Sequence, residues 1–140
     1  MNLEEFHFML GQTIMYYQVI EHDVKRIYAA MLKGDYYDNL DKIEKWSLGQ
    51  TVQKLKDLDF SDKNPYLSAN DYNFLMQMTD KRNHWCHETH QKFLYNNQFL
   101  KSKEYHDECY KLQRDIEKLS LVSDEIENVR IRVQKKYGRV

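Results

Sequence analysis

The sequence predicts an all-α fold: an up-and-down bundle of four to five helices, forming a single domain over residues 1–140. Three observations carry this. One proline and four glycines leave few breaks in the chain. Apolar residues recur at three- and four-residue spacing through long stretches, the mark of amphipathic helices. No stretch alternates with the two-residue period of a half-buried strand. Apolar residues make up 41% of the chain and charged residues 31%, the balance of a globular chain rather than a disordered one. At 140 residues, it can bury a core without disulfides or metal staples.

The first helix is expected from Leu3 to Leu32. Leu3, Phe6, Leu10, Ile14, Tyr17, Ile20, Val24, Ile27 and Met31 form its apolar face. Asn2 suits the N-cap, Glu4 and Glu5 suit the first turn, and Lys33-Gly34-Asp35 supplies the stop. A second helix is expected from about Leu40 to Leu58, with Gly49 inside it at a cost of about 1 kcal/mol relative to alanine. Residues 59–68, with Pro65 among polar neighbours, read as a loop.

A third helix is expected from Ser68, as N-cap with Asp71 three residues on, to about Tyr95. Tyr72, Leu75, Met76, Met78 and Thr79 supply its apolar face, and Asn96-Asn97-Gln98 breaks it. The last helix is expected from about Lys103 to Lys136. Tyr105, Cys109, Leu112, Ile116, Leu119, Val122, Ile126, Val129 and Val133 form its stripe, with Ser120 to Ser123 as a candidate interruption or bend.

A formal net charge of -1 excludes capture of nucleic acid or anionic membrane by the field of the whole molecule. Any such contact must come from a local patch. The tail Arg130, Arg132, Lys135, Lys136 and Arg139 is one candidate, and a solvated helix end is the plainer reading. Two cysteines are too few for a disulfide framework and suit a reducing compartment. No apolar run nears the roughly 18 residues of a membrane span. No basic segment followed by an apolar core opens the chain. A cytoplasmic protein without membrane association is the expectation.

The stretch Arg82-Asn83-His84-Trp85-Cys86-His87 carries the densest chemistry. Residues four apart share a helical face, so Asn83 and His87 are expected to project together. Arg82 lies about 100 degrees round but is long enough to reach the same edge. Arginine suits phosphate through its planar fork of donors, and histidine can take or give a proton near neutrality. The plainer alternatives are a surface arginine and a satisfied structural histidine. Trp85 could stack on a base, against the plainer reading of a core or dimer-interface anchor.

His84, Cys86, His87, Glu88 and His90 also offer metal-ligand pairs three or four apart. Glu4-x-x-His7 matches one half of a di-iron bundle motif, and no second copy exists. No metal and no cofactor are therefore predicted.

Arg82-Asn83-x-x-x-His87 resembles the signature of the HEPN superfamily (higher eukaryotes and prokaryotes nucleotide-binding): Arg, four to six residues, then His, often with Asn after the Arg. The stretch from Ser47 to Leu55 is similar to the second helix of many members. The resemblance implies a metal-independent endoribonuclease acting as a homodimer, with both motif copies facing a shared cleft. His87 would activate the 2′-hydroxyl or protonate the leaving oxygen, Arg82 would hold the phosphate, and Asn83 would orient the ring. Arg82 would thereby contact the substrate, and Trp85, from its residue type rather than from the resemblance, is the candidate for a further substrate contact. RNA would end in 2′,3′-cyclic phosphate and 5′-hydroxyl groups. The family's settings include toxin–antitoxin pairs, phage defence and RNA processing, so a nucleotidyltransferase-type antitoxin is an expected partner. Some members are silent modules that bind a nucleotide or a partner protein. Thr89 stands where some toxin members carry a tyrosine that an antitoxin adenylylates. Control by that route is not carried over.

Overall fold

Residues 1–93 and 95–139 are described by a computed structural model. Among these residues five α-helices pack around one continuous buried cluster: α1 Leu3–Met31, α2 Tyr36–Ile43, α3 Leu48–Asp59, α4 Ala69–Asn83 and α5 Lys103–Lys136. Among the described residues there is no strand.

Helix α1 starts as expected. The Asn2 side chain accepts from the Glu5 N–H while the Glu5 carboxylate accepts from the Asn2 N–H, a reciprocal capping box. After Leu32, Gly34 adopts φ +96°, the left-handed turn that lets the chain double back into α2. Phe6, Tyr17, Ile20, Val24 and Ile27 are buried, so the predicted face of α1 is its packed face.

The predicted second helix is two helices. Ser47 caps α3 by accepting from Gln50 N–H, and α2 has ended at Ile43. Gly49 therefore sits in the first turn of α3, where the glycine penalty of a helix interior does not apply. The apolar spacing ran on across 44–47 because Trp46 packs on Tyr28 with ring centroids 5.7 Å apart. The cap decided the boundary, not the stripe.

Buried Asp59 closes the loop between α3 and α4. Its carboxylate accepts from Tyr66 N–H at 2.8 Å, Leu67 N–H at 3.1 Å and the Tyr72 hydroxyl at 2.7 Å. Ser68 and Asp71 form the expected capping box at the start of α4.

Side-chain pairs fix the helix directions. The Tyr105 hydroxyl donates to Met1 O, Arg130 meets Asp23 at 3.0 Å, and the Arg139 guanidinium donates to Ala30 O and Leu32 O. Low numbers meet low and high meet high, so α1 and α5 run in the same direction. Arg82 meets Glu21 while His90 meets His7, so α4 and the segment after it run opposite to both. Helix α5 continues through Ser120 to Ser123 without interruption, and Ser123 is buried. No described helix is long and apolar enough to cross a membrane.

Candidate functional site

The segment predicted as the rear of the third helix is not one regular helix. Helix α4 stops at Asn83, a π-helical turn spans His84–Glu88, and a 3-10 turn covers Thr89–Lys92. The Thr89 N–H bonds back five residues to His84 O. Leu94, inside the predicted span, lies outside the described residues.

The widened turn has a specific consequence. In an α-helix, residues five apart diverge by about 140 degrees. In a π turn they come close to alignment. His84 and Thr89 are five apart, and both donate to Glu108 Oε2 on α5, at 2.7 and 2.8 Å. Lys92 donates to Glu108 Oε1 at 2.8 Å. Two turns further along α5, Asp115 accepts from Trp85 Nε1 at 2.8 Å, with Lys81 at 3.7 Å. Two α5 carboxylates thus bind the irregular segment down.

Glu108 is only 2% exposed. Burial pushes its carboxyl up, but the bonds from Lys92, Thr89 and His84 outweigh it and hold the group below its ordinary value of 4.5. The folded state then binds fewer protons here than the unfolded chain. The stability from Glu108 is present above pH 4.5 and is lost as pH falls through the lowered value. Glu108→Gln is expected to flatten the acid limb of a stability–pH curve below about pH 5. An unchanged limb would remove Glu108 from the acid response.

The predicted site residues divide. Asn83 and His87 are exposed, and among the described residues no hydrogen bond or ion pair engages either side chain. Arg82, about one-third exposed, donates to Glu21 Oε2 on α1 at 2.9 Å. Glu21 also has Lys25 at 4.0 Å. Arg82 is thus held toward α1 by a carboxylate rather than reaching toward His87. Trp85 is corrected: at 1% exposure its ring lies in the core, and it offers no face for a base to stack on from solvent. Its bulk and single N–H donor are both satisfied indoors, which is the anchor role.

The crowd of potential ligands at 84–90 is also dispersed. His84 turns to Glu108, with Glu88 at 3.6 Å, while Cys86 is exposed. His90 leaves the group to meet His7, their Nε2 atoms 3.3 Å apart. Burial, with His7 adding to it, holds the His90 ring below its ordinary value. Among the described residues no three His, Cys, Asp or Glu side chains converge as a metal cluster.

The basic tail divides in the same way. Arg130 pairs with Asp23, and Arg139 caps the end of α1. Arg132 and Lys136 lie over the Tyr66 ring. The cationic surface lies elsewhere. A cavity of about 330 Å³ is lined by Lys81, Tyr110, Lys111, Arg114, Asp115 and Lys118. Four cations face one acid there, beside the exposed Tyr110. Sequence reading missed this groove, although Lys111, Arg114 and Lys118 hold the three-four spacing of one face of α5. Lys81, from α4, joins them only through packing. A second cavity, of about 340 Å³, is lined by His22, Lys25, Arg26, Leu40, Asp41 and Glu44, and its charges balance. The first is therefore the better seat for an anion.

Glu108 and Asp115 were legible in principle. They stand in the three-four spacing of Tyr105, Leu112 and Leu119 on α5, Glu108 buried and Asp115 partly buried. Acids at stripe positions signal buried acceptors waiting for donors. Compared with known protein families, characterised proteins and solved structures, the chain matches none.

Proposed function

We propose that the chain is a metal-independent endoribonuclease of HEPN type that works as a homodimer and leaves 2′,3′-cyclic phosphate and 5′-hydroxyl ends. The observation that supports this is His87: an exposed imidazole with no partner among the described side chains, five residues from an arginine, on an irregular turn. π turns inside helices occur often at functional sites. The turn is held by Glu108 and Asp115, so the exposed ring stands on a rigid support.

In this reading His87 takes the 2′-hydroxyl proton or returns one to the leaving oxygen. Arg82 exchanges Glu21 for the scissile phosphate and offsets its developing charge. Asn83 orients the imidazole or bonds the phosphate. The groove of Lys81, Lys111, Arg114 and Lys118 tracks the strand backbone, which compensates for the near-neutral net charge. A second copy supplies the opposing motif. A cytoplasmic toxin or phage-defence role, with a nucleotidyltransferase-type antitoxin as partner, is the setting that accompanies this reading.

A second reading is favoured by one observation. The Arg82–Glu21 pair at 2.9 Å is what a silent helical module, binding a nucleotide or a partner protein, would retain. RNA cleavage in excess EDTA separates the two. Wild type is expected to cleave, and His87→Ala and Arg82→Ala to lose about 10²- to 10⁴-fold in rate. Binding without cleavage in the wild type selects the silent module. Cleavage that persists in both variants removes these residues from the chemistry.

A further inference from the structure

We propose that His7 and His90 form a two-imidazole site for a transition-metal ion of the Zn2+ or Cu2+ class. The proposal is independent of the ribonuclease reading, because neither residue belongs to that site. His7 lies on the second turn of α1 and His90 on the 3-10 turn after the π turn, 83 positions apart in the chain. Their Nε2 atoms stand 3.3 Å apart. Two nitrogens on one tetrahedral ion, each bonded at about 2.0–2.1 Å, are separated by roughly 3.3–3.4 Å. The pair already has the spacing of two ligands on a shared ion, and the ion would replace the hydrogen bond between the two nitrogens once the donor ring carries its proton on Nδ1 instead.

The rings are held in place before any ion arrives. His90 stands edge-on to Phe6 with centroids 6.0 Å apart and to Phe93 at 5.5 Å. His7 packs beside Phe6 at 6.1 Å. That aromatic cluster continues through Phe99 and Tyr105, which fixes the approach of α1 to the 3-10 turn. Pre-organisation of this kind lowers the ordering cost of binding. Both histidines are exposed, so an ion has open access.

Imidazole nitrogen suits zinc, copper and nickel, while magnesium and calcium require oxygen. No third His, Cys, Asp or Glu joins the pair among the described residues, so water completes the coordination. No described group hydrogen-bonds the outer nitrogen of either ring. Affinity is therefore well below that of a four-ligand structural site.

The ion would bridge two segments that the unfolded chain does not hold together, so it binds the native state selectively and raises its melting point. Metal-stripped protein is to be melted with Zn2+, with Mg2+, and with Zn2+ followed by EDTA. Zn2+ is expected to raise the midpoint by roughly 3–8 °C, with reversal by EDTA and no effect of Mg2+. Isothermal titration is expected to give one ion per chain. His7→Gln and His90→Gln, both at exposed positions, are each expected to abolish the rise, while His106→Gln keeps it. The proposal fails if the wild type shows no rise. It fails equally if either His7→Gln or His90→Gln keeps the full rise, or if His106→Gln alone removes it.

Discussion

Glu108→Ala is expected to destabilise the protein by about 3–5 kcal/mol, among the largest single effects available in this chain. Glu108 is 2% exposed and receives three donors, from His84, Thr89 and Lys92. Truncation would leave the Thr89 hydroxyl, itself 2% exposed, and the mostly buried His84 ring without their acceptor. A buried donor stripped of its partner costs its full desolvation, about 1–3 kcal/mol. Lys92 loses least, because its ammonium remains half in water. Glu108→Gln keeps the shape and one acceptor oxygen but loses the charge, so an intermediate loss is expected. Equilibrium urea unfolding of the two variants checks the ordering. Equal and small losses would mean that the π turn holds itself without α5.

Trp85→Ala is expected to cost about 3–5 kcal/mol, the range for removing a large buried aromatic. The ring is 1% exposed, and Lys111 lies over it with its ammonium 5.8 Å from the ring centroid. Trp85→Phe refills most of the volume but breaks the 2.8 Å bond to Asp115, so a loss of roughly 1–2 kcal/mol is expected. The contrast with His87→Ala is the informative part. His87 is exposed and unpartnered among the described residues, so its loss is expected to leave the unfolding free energy within about 0.5 kcal/mol of wild type. Chemical denaturation of the three proteins measures this. If Trp85→Ala melts like the wild type, the indole is not a core anchor.

The helices whose ends carry their own chemistry were readable from the chain. Asn2 with Glu5 and Ser68 with Asp71 mark starts through side chains that bond backbone N–H groups within three residues. Such bonds are local, so local sequence encodes them. Ser47 carries the same kind of signal, and the continuous apolar pattern around Trp46 obscured it. The buried faces of α1 and α5 follow from apolar spacing because burial follows the helical repeat. On α4 the face narrows to Tyr72, Leu75 and Met78, and Met76 is 41% exposed. Periodicity does not weigh how much of a face its neighbours cover.

For the candidate site, the chain alone determined which groups are concentrated at residues 82–90: a guanidinium, an amide and several imidazoles on a helical stretch. What each does was decided by residues far away in sequence. Glu21 takes Arg82, Glu108 takes His84, Asp115 takes Trp85 and His7 takes His90. These partners lie on α1 and α5, so the pairings exist only once those helices flank α4 in their mutual directions. The π turn has the same origin. Nothing local demands an extra residue in that turn, but a buried carboxylate on α5 rewards the geometry that brings His84 and Thr89 to one oxygen. Residue type and spacing fix which donors a segment carries, whereas tertiary packing alone decides which acceptors reach them and which side chains, such as His87, have no partner among the described residues.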